Sequence, residues 1–183
     1  SDNLAGNNAV STTDKRYTTV GGGTANTASG FGSTIPGGQS NTASGGASTV
    51  GGGSGNNASG LASTISGGAG NTASDLNATV GGGQFNTASG SQSTVGGGRS
   101  NAASAAYATI AGGGESTPGN SATANRVTDE YGTVGGGGNN QAGDNAGTTS
   151  DKIYATVGGG FSNTAGGAYA AVGGGVVNIA SGF

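Results

Sequence analysis

The side chains that could do chemistry in this sequence are few, and most fall between residues 126 and 154. Asp129, Glu130, Asp144 and Asp151 supply carboxylates, Arg126 and Lys152 supply cations, and Tyr131 and Tyr154 supply phenols. Two carboxylates facing one another across a sugar would make a glycosidase pair. These four lie on stretches that read as loops, where solvated charge is the ordinary role. The chain has no Cys and no His, which removes disulfides, zinc sites, catalytic thiols and imidazole bases. The recurring Val-Gly-Gly-Gly invites comparison with a phosphate loop, but no Gly-Lys-Ser/Thr follows it. The calcium-binding nonapeptide roll needs an Asp in each repeat at a period of nine, and no such Asp column exists here. The residues therefore predict no enzyme, no cofactor and no metal site.

Partners are bounded the same way. Five basic residues against eight acidic ones give a net charge of -3, the wrong footprint for a nucleic-acid or anionic-membrane binder. No apolar run approaches the roughly 18 residues of a membrane span, and residues 1–20 lack a signal-peptide apolar region. No nucleic acid and no direct membrane contact by this segment are expected.

The elements that must position the loops are set by a repeat. Glycine is 45 of 183 residues, a composition that alone would suggest disorder, and periodicity overturns that. With the β-branched residue before the glycines as position zero, Val20, Ile35, Val50, Ile65, Val80, Val95 and Ile110 follow one another by fifteen, and Val134, Val157 and Val172 continue the series after two breaks. Ten turns of such a period are the signature of a solenoid.

Comparing turns within the chain assigns each column. Gly occupies +2 and +3 throughout, as in Gly52 and Gly53, whereas +1 accepts Pro36, Ser66 and Ala111. The second and third glycines should therefore be required by the corner, and the first should be dispensable. Asn at +6 (Asn56) and Ala at +8 (Ala58) form a short strand whose stacked amides can bond from turn to turn. The Ser/Ala-Thr-Val/Ile strand sends Val50 and its equivalents inward and Thr at -1 outward. One Val or Ile, one Ala and one smaller residue per turn is a thin core, so association between chains is expected to add stability.

The extra residues map to corners. The columns place insertions at 12–15, 125–129 and 145–152, all at the corner between +10 and -4, with a further one at 115–118 that leaves Asn120 in the Asn column. On this alignment the loops before Val134 and Val157 lie side by side and gather Arg126, Asp129, Glu130, Tyr131, Asp144, Asp151, Lys152 and Tyr154, which makes those residues the ligand-binding candidates. All five Tyr fall at -3, suited to bracing a loop or touching a ligand.

Ten units of the type Ser-Thr-Val-Gly-Gly-Gly-x-x-Asn-Thr-Ala-Ser-Gly, over residues 17–183, resemble the YadA-like head of trimeric autotransporter adhesins. The resemblance implies an all-β, left-handed parallel β-roll of about ten 15-residue turns, assembled as a homotrimer, with residues 1–183 forming a single head segment. It further implies a bacterial cell-surface location, exposed outside the outer membrane, and attachment to host extracellular matrix or cell-surface receptors. The head turns of that family are usually one residue shorter with fewer corner glycines. The alternative is another β-solenoid, a phage-fibre segment or an ice-binding surface, the latter suggested by the Thr columns and weakened where Thr-x-Ser gives way to Asn57, Ala102, Gln141 and Ile179.

Overall fold

The computed structural model describes residues 2–5 and 17–182, so the insertion expected at 12–15 lies outside the described residues. The chain winds as a parallel β-solenoid with two sheets, one of 11 and one of 10 strands, every strand two residues long and paired in parallel with its equivalent one turn away. Among the described residues there is no α-helix. The 10-stranded sheet carries -1 and zero (Thr49–Val50 beside Thr64–Ile65) and the 11-stranded sheet carries +7 and +8 (Asn57–Ala58 beside Thr72–Ala73). The additional strand is Leu4–Ala5, paired with Thr27–Ala28. It begins an eleventh turn that the Val spacing does not reveal, although Asn3-Leu4-Ala5 repeats the Asn-x-Ala pattern.

Register follows from the alternation of side chains. Ile35, Val50, Ile65, Val80, Val95, Ile110, Val134 and Val157 are 0% exposed, as is every +8 residue from Ala28 to Ala165. Between the two sheets runs a third column of single parallel bridges at +4, from Thr24 to Gln39 to Ser54 and onward, so each turn is secured at three places. Both bends between these columns use non-glycine residues at positive φ. At -3 these include Ala47, Ala62, Asn77 and Tyr107, and at +5 Ala25, Ser40, Phe85 and Ser100, all between +53° and +59°. The strain of these positions is offset because, from Ser40 to Tyr107, their N–H groups reach the preceding turn, as Ala62 does to the Gly46 carbonyl at 2.7 Å and Ser40 to Thr24 at 2.9 Å.

The glycine corner and the Asn column prove to be one device. The Asn56 side-chain N–H2 donates to the carbonyls of Gly52 and Gly68, each at 2.9 Å, and to Asn41 Oδ1 at 3.1 Å. Its own Oδ1 accepts from the backbone and side-chain nitrogens of Asn71 at 3.0 and 3.1 Å. A Cβ on Gly53 (φ +86°) would collide with the Gly68 carbonyl and with the Asn56 amide, whereas Gly52 (φ +138°) has open space and is held to glycine by its backbone angle. The +1 position is tighter than the columns imply: a Cβ on Gly51 would press on the Ser66 carbonyl. Pro36, Ser66 and Ala111 show that the corner can shift to admit one.

The insertion expected at 125–129 is corrected. Arg126–Val127 is a strand of the 11-stranded sheet, paired with Ala102–Ala103 on one side and Gln141–Ala142 on the other, and Asn125 rather than Asn120 fills the Asn column, its Oδ1 accepting from Asn140 N at 2.9 Å. The extra residues form a single insertion, 115–123, that leaves after the bridge residue Gly114. The decisive cue is that Asn125 and Asn140 are fifteen apart, so the regular spacing resumes in the Asn column before it resumes in the Val column. The amide ladder breaks at this insertion, where Asn101 Oδ1 is buried without a partner.

Candidate functional site

Two insertions therefore leave the roll on neighbouring turns at different corners, and do not stack as the columns had suggested. The 115–123 insertion is clamped at its base. Glu115, whose side chain is only 4% exposed, accepts from the Ser100 hydroxyl at 2.5 Å and the Gly119 N–H at 2.6 Å and faces Arg99 Nε at 3.4 Å. The Ser100 hydroxyl first, then the Gly119 N–H and Arg99, hold its carboxyl below the usual range against the opposing effect of burial. Asn120 caps a one-turn 3-10 helix, Ser121–Thr123, its Oδ1 accepting from Ala122 N at 3.2 Å. Arg126 is tied down beside it, donating to the Ala122 carbonyl at 2.5 Å and to Gln141 Oε1 at 3.2 Å.

The 145–152 insertion lies where the columns place it, following Asp144 at +10. Asp129 is also at +10, one turn before, so the fixed register sets Asp144 beside it. Asp129 is buried, and its Oδ2 accepts from the Thr128 hydroxyl at 3.0 Å and the Asp144 N–H at 3.1 Å. Burial pushes its carboxyl up, with the Asp144 charge adding to the rise and the Thr128 hydroxyl and the N–H groups of Asp144 and Lys152 opposing it. Asp151 is exposed and accepts from the Thr148 hydroxyl at 2.7 Å, the main reason its carboxyl is lowered. Glu130 lies half-buried, its backbone joining the loop through the Thr149 carbonyl at 2.7 Å and accepting from Tyr154 N at 3.1 Å.

Residue type at -3 creates a further feature. Because Tyr107, Tyr131, Tyr154 and Tyr169 occupy one column on four successive turns, their rings stack with centroids 4.7, 4.8 and 5.3 Å apart and planes within 18° of parallel. Each pair contributes about 0.5 to 1.5 kcal/mol beyond the area it buries. Partial desolvation, the two flanking phenols and Glu130 raise the pKa of Tyr131. Farther along the same corner stand Leu76, Leu61 and Phe31 at -4 and Tyr17 at -3, with Phe31 and Tyr17 edge to face at 5.9 Å and the series interrupted at Ser91-Gln92 and Gly46-Ala47. All eight side chains are exposed, from 39% at Leu76 to 76% at Tyr17, so one corner of the roll bears an apolar stripe broken at two turns.

Of the eight ligand-binding candidates, Asp129, Asp144 and Asp151 converge, Tyr131 and Tyr154 join the stack, and Glu130 and Lys152 flank that cluster, while Arg126 stands on a strand and bonds to the other insertion. Among the described residues the surface has no pocket, so a ligand would meet a ladder, a stripe or a loop. No protein-family model matches the chain, and no curated protein matches it as a relative.

Proposed function

We propose that this chain is the head segment of a trimeric cell-surface adhesin, non-catalytic, carried by a left-handed roll and attaching a Gram-negative bacterium to host extracellular matrix or cell-surface receptors. The observation that carries this reading is the apolar stripe on a rod whose own core is already closed. Eight large side chains from Tyr17 to Tyr169 remain exposed on one corner although no zero or +8 residue from Ala28 to Val157 needs covering. A stripe of that kind suits burial along a common axis between identical copies. The resemblance of the repeats to YadA-like heads supplies the copy number, the handedness and the cell-surface setting. Threefold display would repeat each insertion around the rod and multiply weak contacts by avidity.

The test is attachment. Beads coated with the chain should adhere to host matrix or cells, and cutting 145–152 and 115–123 back to the plain turn should reduce adhesion at least about tenfold, as loss of a multivalent contact would. Unchanged attachment would move binding to the plain turns, and no attachment to any matrix or cell would remove the adhesin reading. A second reading, an ice-binding surface, has one favourable feature: Thr fills -1 on nine successive turns from Thr19 to Thr156. Inhibition of ice recrystallisation by the isolated chain would favour it.

A further inference from the structure

Asp129 and Asp144 occupy the same position on successive turns, so register alone sets one carboxylate over the other, and the 145–152 loop brings Asp151 to both. One oxygen from each lies within 4.8 Å of the other two. At +10 elsewhere the chain has Gly30, Gly45, Gly60, Gly90, Ala105, Gly167 and Gly182, and the single Asp75 has glycine at that position on both neighbouring turns. A second observation is independent of the clustering. Asp129 is buried, Thr128 and Asp144 occupy its Oδ2, and its Oδ1 is shut off from solvent without a hydrogen bond of good geometry, although the Lys152 N–H and the Asp151 carboxylate lie near enough to the carboxyl to act on it. Gly143 belongs to the same arrangement. Seven of the other turns have Ser at its position, from Ser29 to Ser104 and again at Ser181, and a Cβ here would strike Asp129 Oδ2 and the Thr128 hydroxyl. The Lys152 ammonium lowers the Asp151 carboxyl through space, and among the described residues no ion pair joins it to the three acids. A buried carboxylate with an unmet oxygen beside two others calls for a cation or a proton.

We propose that Asp129, Asp144 and Asp151 bind a Ca2+ ion that pins the 145–152 loop to the roll. Ca2+ takes six to eight oxygens at about 2.3 to 2.6 Å in flexible geometry, which suits three carboxylates converging from a strand end and a loop, whereas Mg2+ demands a tighter octahedron and gives up its water reluctantly. Three carboxylates, one of them solvent-exposed, fit an affinity of about 0.1 to 1 mM. The proposed site departs from the expectation of a metal-free chain drawn from the sequence, and it stands or falls separately from adhesion.

The experiment uses the whole chain stripped with a chelator, then titrated with Ca2+ and with Mg2+ by calorimetry, thermal unfolding and trypsin cleavage after Lys152. Saturable binding of one Ca2+ per chain is expected. Tm should rise by about 5 to 10 °C at a concentration a hundredfold above Kd, and cleavage after Lys152 should slow at least about tenfold as the loop closes. Asp151→Asn should abolish all three responses while keeping the far-ultraviolet β-signature, since Asp151 lies exposed on the loop with Thr148 as its hydrogen-bonded partner. Asp144→Asn provides a second variant with the same expectation. No heat and no Tm shift at ~10 mM Ca2+, well above the affinity range, would overturn the proposal, as would a response retained in both variants. An equal response to Mg2+ would overturn the assignment to Ca2+. Stabilisation by mild acid with no response to Ca2+ would show that a shared proton holds the cluster instead.

Discussion

The amide of Asn56 satisfies five groups at once: the carbonyls of Gly52 and Gly68, the side chain of Asn41 below it, and the backbone and side-chain N–H groups of Asn71 above. Replacing it with Ala leaves buried carbonyls and an amide without partners, each costing about 1 to 3 kcal/mol, so Asn56→Ala should lower unfolding free energy by at least about 3 kcal/mol in a urea titration. The glycine it staples should be nearly as sensitive. Gly53→Ala meets both a collision and a positive φ and should cost about 2 kcal/mol or more, while Gly51→Ala, in a column that already tolerates Pro36, Ser66 and Ala111, should cost less. Equal losses at 51 and 53 would contradict this account of the corner. The buried hydroxyls of Ser33, Ser48, Ser63 and Ser93 lack partners, and Ala78, Ala108 and Ala155 fill the same column. Ser48→Ala should therefore be neutral or stabilising by up to about 1 kcal/mol. A loss larger than that would mean the hydroxyl is bonded after all.

At the scale of the element, the two insertions differ in how they are held, and pH separates them. Glu115 anchors the 115–123 insertion, and the Ser100 hydroxyl, with Gly119 and Arg99 behind it, lowers its pKa from the ordinary 4.5. A carboxyl lowered in the folded state stabilises above its unfolded pKa, and that stability disappears as pH falls through the folded value. Between neutral pH and the region below 4.5, the wild type should lose more stability than Glu115→Gln, and the difference between the two should close in strong acid. Parallel acid limbs in thermal melts would show that the clamp contributes nothing. The position of this insertion also marks where the sequence was legible and where it was not. Columns at zero, +3 and +8 could be read because packing between sheets admits only Val, Ile, Gly or Ala there. The turn from Ala124 to Asp129 was misplaced because Val127 stands where Ala is usual and Asn120 imitates the ladder residue, though its amide caps a 3-10 turn instead. The +4 bridges were invisible, because a position held only by backbone hydrogen bonds accepts Thr, Gln, Ser, Ala, Arg, Gly, Phe and Val alike. The convergence of three Asp depends on the path of the 145–152 loop, which no repeat dictates.

For the whole molecule, thin burial per turn had suggested that one chain could not stabilise itself without partners. In the folded chain the zero and +8 columns are closed from Ala28 to Val157, and the amide ladder and the two backbone bends satisfy the polar groups that a thin core would otherwise leave exposed. On the proposed assembly, association would not have to complete the core and would fall to the stripe of Tyr17, Phe31, Leu61, Leu76 and the four stacked Tyr. That division leads to a separable expectation: the wild-type chain should sediment as three copies at micromolar concentration, while Leu61→Lys combined with Tyr131→Lys should sediment as one. Two charges on a desolvated stripe oppose burial strongly, yet both side chains are solvent-exposed within a single chain, so the variant should keep its far-ultraviolet β-signature. Its Tm should fall only by what the interface contributes and should cease to depend on protein concentration. Unfolding of the variant together with its dissociation would mean that the chain needs its partners to hold the roll. A wild-type chain that sediments as a folded monomer would mean that the stripe meets something other than a copy of itself.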